Sequence, residues 1–268
     1  MVRIPPLVFM EITVYGMHAG SYEAVSRVPG SFAQFRRGVD LLLDCKIPFV
    51  VKSTLLPPNK AEMDEFETWA DKIPWMDKQP RYSMFFDLRN RRDDEKKNEL
   101  IALIRLSPAE GVAVLARDAA KYRKSTEEFA GKFMGPTSEA LFRCGAGCGL
   151  CIDAYGKAQP CMGVRAPKLT RNVIVTDSDT PLRDALDFFT CLKDIRAANP
   201  DYLRRCAVCF LKGLCEQCPA KSWAEYGTLD TPVEYLCEVA HAQGRFLGWL
   251  KDGEKAWEIH AWKERVKG

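Results

Sequence analysis

Nine of the eleven cysteines in this 268-residue chain form two spaced groups, Cys144-x3-Cys148-x2-Cys151-x9-Cys161 and Cys206-x2-Cys209-x5-Cys215-x2-Cys218-x18-Cys237. A chain so patterned folds either around disulfides or around inorganic centres. Disulfide scaffolds are small and secreted. Here the apolar run near the start is short and broken by Pro5-Pro6, which makes a poor signal-peptide core. No segment reaches the roughly 18 apolar residues of a membrane span. The expectation is a cytoplasmic protein with reduced thiols, in which clustered cysteines bind metal. Lys+Arg 39 against Asp+Glu 36 leaves a net charge of +3, so neither nucleic acid nor an anionic membrane is called for as a partner.

The spacing says more about the metal. A two-residue gap lets two thiolates grip one ion or cluster from a single turn. Cys151 to Cys161 reads as a tight hairpin, with Gly156 supplying a positive φ at the turn. The three histidines, His18, His241 and His260, lie outside both groups, so the ligands would be all sulfur. Soft thiolate sets select zinc or iron–sulfur clusters. The five-residue gap between the two Cys-x2-Cys pairs is far shorter than the ~15–20 residues of a zinc ribbon, which favours iron–sulfur. Nine thiolates are one more than two four-ligand sites need. Cys45 and Cys191 extend helical apolar patterns and read as core residues.

Upstream of the cysteines, strand and helix alternate. Val8 to Tyr15 reads as a strand ended by Gly16. Ser31 is a candidate N-cap for a helix to about Cys45, with Phe32, Phe35, Val39, Leu42 and Leu43 on its buried face. Ile47 to Thr54 is a second strand. Asn59 with Glu62 resembles a capping box, ahead of an apolar stripe of Met63, Phe66, Trp69, Ala70 and Ile73. Tyr82 to Phe86 is a third strand. This order predicts parallel βαβ units with right-handed crossovers. Arg89 to Asn98 reads as a solvated charge run. Ser107-Pro108-Ala109-Glu110 is a capping box with proline at the first helical position, opening a helix to about Lys124. Beyond Phe142 glycine, proline and cysteine rise. Helical patterning returns from Pro232 to Val266, with Trp249, Trp257 and Trp262 as packing residues.

Taken together, these residues resemble a radical SAM enzyme with a C-terminal SPASM (twitch-type) extension. The segment Glu11-Ile-Thr-Val-Tyr-Gly16, then Tyr22, Val28-Pro-Gly-Ser-Phe32 and Lys52 to Asn59, is similar to the fourth and fifth βα units of such barrels. Cys144-Gly-Ala-Gly-Cys148 through Gly156 and Pro160-Cys161, then Cys206, Cys209, Cys215 and Cys237, is similar to the SPASM pattern. The resemblance implies an α/β fold. Residues 1–125 would be the C-terminal part of a partial (β/α) barrel, and 126–268 a cysteine-rich α+β SPASM domain with a C-terminal helix. It also implies two auxiliary [4Fe-4S] clusters. One would use Cys144, Cys161, Cys218 and either Cys148 or Cys151; the other would use Cys206, Cys209, Cys215 and Cys237. The gap from Cys215 to Cys218 is one residue shorter than the family's.

By the same resemblance Thr13 would touch the ribose of S-adenosylmethionine and Lys52 its carboxylate. The family's radical-generating CxxxCxxC follows the first barrel strand, with the rest of the barrel downstream. Cys144, Cys148 and Cys151 match that motif literally, but the strand–helix alternation lies upstream of them, so they read as auxiliary ligands. At ~30 residues per βα unit, about 90 residues of barrel have no counterpart ahead of Val8. The resemblance thus implies a fragment, a misassigned start or half of a split protein, with a separate chain supplying the rest of the barrel. This chain alone is then expected to cleave no S-adenosylmethionine.

In complete form the implied enzyme generates a 5′-deoxyadenosyl radical and modifies a peptide or protein side chain, reduced by a flavodoxin or ferredoxin. Two other readings stand beside it. One is a non-catalytic iron–sulfur module that relays electrons or binds a peptide; the other is a zinc-stabilised binding domain.

Overall fold

The computed structural model describes residues 10–84, 95–133, 138–215 and 218–266. By internal contacts the chain divides into two units: Met1–Phe86 with Ile101–Leu106, and Asp87–Leu100 with Ser107–Gly268. Parts of three expected elements lie outside the described residues: Val8 and Phe9, Phe85 and Phe86, and residues 89–94 of the charge run.

The first unit is built on three parallel strands, β1 (Glu11–Val14), β2 (Val50–Thr54) and β3 (Arg81–Ser83), in that order across the sheet. Thr13 pairs with Lys52, and Lys52 with Arg81. Because side chains alternate along a strand, this register sorts them onto two faces. Val14 and Val51 are buried with Val39 of α2 (Ser31–Asp44), which follows α1 (Ala19–Ser26), and with Phe66 and Ala70 of α3 (Met63–Ala70). Ser53 on the same face donates to the Val14 carbonyl at 2.7 Å. The other face carries Glu11, Thr13, Val50, Lys52, Thr54, Arg81 and Ser83, none of them fully buried. Both crossover helices pack on the Val14–Val51 side, as right-handed connections between successive neighbours require, and the second side is mostly polar.

Local chemistry departs from the sequence expectation at two caps. Gly30, at φ 77°, is the N-cap of α2, and Ser31 is its first residue, bonded through Oγ to Ser26 Oγ at 2.7 Å. A left-handed backbone at residue 30 suits glycine, so the serine moves one position inward. Asn59 caps nothing. Its side chain is 4% exposed, accepts from the Leu56 N–H and donates to the Tyr15 and Thr54 carbonyls, tying the ends of β1 and β2 together. Glu62 instead accepts from the Met17 N–H and Ser21 Oγ. At Gly16 a Cβ would lie 2.7 Å from the Tyr22 nitrogen, so only glycine lets α1 come this close to the end of β1.

In the second unit the Ser107–Glu110 capping box forms with Pro108 in the first turn. The expected single helix is broken into α5 (Pro108–Leu115), a 3-10 turn, and α6 (Ala119–Phe133); ahead of them α4 (Glu95–Leu103) takes up the end of the charge run as helix. A small antiparallel sheet follows: β4 (Cys151–Ile152), β5 (Lys157–Gln159) and β6 (Arg171–Asn172). Gly156 at its turn has φ 70°, and a Cβ there would strike Ile174. After α7 (Pro181–Phe189) come α8 (Lys212–Cys215), α9 (Pro219–Tyr226), α10 (Glu234–Phe246) and α11 (Trp262–Val266).

Two apolar clusters hold this unit. One gathers Ala158, Val164, Phe189, Leu192 and Tyr202 beneath the small sheet. The other gathers Phe210, Leu211, Leu214, Leu247 and Trp249, with Trp262 stacked on Phe210 at 5.6 Å between ring centres. Replacing Asn59 by alanine strands two carbonyls and an amide near the sheet ends. We expect Asn59→Ala to lower unfolding free energy by about 3 kcal/mol in urea titrations. An unchanged midpoint would contradict its tying role.

Candidate metal centre

None of the eleven cysteines forms a disulfide. Four segments of the second unit deliver thiols to one cavity of about 60 Å³, walled by Cys206, Cys209, Cys215, Cys218 and Cys237. Cys206 ends a π-helical turn, Tyr202–Cys206, and Cys209 follows in the next turn. Cys215 closes α8, Cys218 is the N-cap of α9, and Cys237 lies in the first turns of α10. Leu229, Leu236 and Ala240 supply apolar wall.

The thiols repel one another's ionised forms. Burial pushes Cys206 up to about 12, and the neighbouring Cys215 and Cys237 add to the rise. Cys209 is raised well above the usual thiol range by burial, then by Cys215, Cys237 and Cys206. Cys237 is raised by burial and partly relieved by a hydrogen bond from Arg205. Cys206, Cys209, Cys215 and Cys237 thus share one cavity, and the charges of Cys215 and Cys237 act on Cys206 and Cys209. Cys218, also raised by burial, feels Cys161 instead.

Around Cys161 the structure is more open. Cys151 pairs with Gln159 across the β4–β5 hairpin, two residues short of Cys161, and the Gly147 N–H donates to the Pro160 carbonyl at 3.1 Å. Asp153 braces the turn, accepting from the Tyr155 and Lys157 amides at 2.9 and 3.0 Å. Cys151 and Cys161 are half-buried, while Cys144 and Cys148 are exposed. Among the described residues no three His, Cys, Asp or Glu side chains close on a single ion. Cys45, expected in the core, is exposed, because it sits past the end of α2 as its C-cap; Cys191 is half-buried.

Three residues at the cavity escaped the sequence reading. Arg205 Nη2 donates to Cys237 Sγ at 3.6 Å, and its guanidinium forks onto the Glu234 carboxylate at 2.6 and 2.8 Å. Lys212, 6% exposed, lies beside Cys209 and Cys215, with burial and Arg143 holding its ammonium below the usual range. His241 Nδ1 bonds the Cys237 carbonyl at 2.8 Å, and Nε2 accepts from the Ala256 amide. That arrangement puts the proton on Nδ1, and burial favours the neutral ring. The four-residue step from Cys237 to His241 on one helix was the only signal available.

The donor set fits a soft, thiolate-bound centre. Four cavity sulfurs and two cations suit a net-negative tetrathiolate site, and metal binding removes the protonation penalty by displacing the thiol protons. Arg205 Nε is also buried without a hydrogen-bond partner, and the residue lines the cavity. In the first unit, Thr13 and Lys52 are register neighbours on the polar sheet face, and the Lys52 ammonium is ion-paired with Glu11.

No family model and no solved structure matches the chain. Among curated proteins it is similar to the AdoMet-dependent heme synthase of Methanosarcina barkeri (strain Fusaro / DSM 804), 23% identical over 244 residues. The alignment covers 81% of this chain and 64% of that enzyme, so the chain spans about 64% of the relative's length. This distant likeness supports a relation to radical SAM enzymes.

Thiol burial gives a direct expectation. When the metal-free, reduced chain is alkylated at about pH 8, Cys45, Cys144 and Cys148 should label first, and Cys206, Cys209, Cys218 and Cys237 last, because protonated thiols are poor nucleophiles. Peptide mapping by mass spectrometry reads the order. Early labelling of Cys206 would contradict the cavity.

Proposed function

We propose that this chain is a radical SAM-type iron–sulfur protein whose second unit holds two auxiliary [4Fe-4S] clusters in a SPASM-like arrangement. The observation that carries the reading is one cavity lined by Cys206, Cys209, Cys215, Cys218 and Cys237, in which Cys215 and Cys237 disfavour ionisation of Cys206 and Cys209 while Cys161 does so for Cys218. In this reading Cys144 and either Cys148 or Cys151 complete the second site from the loop braced against Pro160. Bound clusters would supply one-electron chemistry.

The chain's own residues provide the rest. Apolar walls at Leu229 and Leu236 exclude water from the cavity, Arg205 and Lys212 offset the negative charge of four thiolates, and His241 holds the backbone of Cys237.

For the first unit the reading is a piece of a (β/α) barrel. Its polar sheet face would line the interior, and Thr13 and Lys52 would contact S-adenosylmethionine, with Glu11 yielding Lys52 to the ligand carboxylate. One-sided helix cover over neighbouring parallel strands supports this. Whole-protein activity is a further proposal: radical modification of a substrate, with electrons from a flavodoxin or ferredoxin. A peptide or protein side chain is the substrate class the sequence resemblance implies. The relative's name favours a heme-type substrate as the second reading.

Anaerobic reconstitution tests the proposal. About eight iron and about eight sulfide per chain are expected, falling to about four of each in Cys237→Ser and likewise in Cys161→Ser. Zinc without sulfide would overturn it in favour of a structural zinc domain.

A further inference from the structure

We propose that Arg205 is the positioning residue that sets the reduction potential of the centre held by Cys206, Cys209, Cys215 and Cys237; this rests on the iron–sulfur reading of that site. Arg205 belongs to the same turn as Cys206, so its place relative to that thiol is fixed by the backbone. The side chain is 12% exposed and is held from three sides. Glu234 takes both terminal nitrogens, Asp201 lies 3.5 Å from Nη1, and the guanidinium lies over the Trp257 ring at 4.6 Å from its centre. These restraints leave two of its donors for sulfur. Nη2 reaches Cys237 Sγ at 3.6 Å, and the buried Nε–H has no acceptor.

A buried donor without an acceptor is costly, and a residue so tightly held gains little by structural packing alone. Its presence beside Cys237 and Cys206 is explained if a sulfur of the bound centre accepts from Nε–H. The energetic consequence follows from charge. Adding one electron to a tetrathiolate centre adds one negative charge beside a fixed cation. Arg205 stabilises the reduced form more than the oxidised one, and hydrogen bonds to the sulfurs act in the same direction. Arg205 is aimed at a ligand atom, Cys237 Sγ, and Lys212 adds charge beside Cys209 and Cys215.

The test is a dithionite titration of the reconstituted full chain, following by electron paramagnetic resonance the signal that Cys237→Ser abolishes. Iron and sulfide are counted in every sample. The expected order of midpoint potentials is wild type highest, Arg205→Lys lower and Arg205→Gln lowest, at equal cluster content. Lysine keeps the charge but loses the fork and the Nε–H. An Arg205→Gln protein with full iron content and the wild-type potential would overturn the proposal. Should Arg205→Gln fail to hold iron, Arg205→Lys decides: a lowered potential supports the proposal and a wild-type potential overturns it. A wild type that takes up no iron and sulfide defeats the iron–sulfur reading itself, and this inference with it. That failure is read from the iron count before any potential is measured.

Discussion

Burial around one cavity disfavours the thiolates of Cys206, Cys209 and Cys237, and Cys215 adds its charge against the first two. Protonated, the four sulfurs are weak partners for anything around them. Coordinated by a soft cation, they lose their protons and become the strongest ligands in the unit. The turn at Tyr202–Cys206, the short helix α8 and the start of α10 meet at these sulfurs, and Arg205–Glu234 and the Leu211–Leu214–Ala240 packing join them as well. Two apolar clusters hold the second unit, and cavity cysteines belong to both: Cys206 and Cys218 pack against one, Cys209 and Cys215 against the other.

The first unit answers a different constraint. Parallel strands need crossovers, and right-handed crossovers between neighbouring strands cover one face of the sheet only. The sequence obeys this by alternating Val14, Val51 and Ser53 inward with Thr13, Lys52 and Thr54 outward. The uncovered side carries mostly charged and hydroxyl side chains with Val50 among them, and Lys52 holds a carboxylate there in Glu11.

Much of this fold was legible because its signals are local. The strand order, the helix over residues 31–44, the Ser107 capping box and the glycine turn at 156 each depend on a few adjacent residues. Asn59 misled because asparagine followed three residues later by glutamate serves both a cap and a tertiary tie, and only the nearness of Tyr15 and Thr54 decides between them. Cys45 misled because helical periodicity says which face a residue occupies, not where the helix stops. For the candidate centre, spacing names the nine thiols but not which of them face each other. Arg205, Lys212 and His241 were invisible for the same reason: their roles arise when α8, α10 and the 202–206 turn converge.

The central claim is that Cys206, Cys209, Cys215 and Cys237 enclose one iron–sulfur centre. Anomalous diffraction at the iron edge, from crystals of the anaerobically reconstituted chain, tests it most directly. The account predicts one iron peak bounded by those four sulfurs and a second beside Cys161 and Cys218. Anomalous signal at the zinc edge alone, or iron bound by Cys161 together with Cys209, would contradict it.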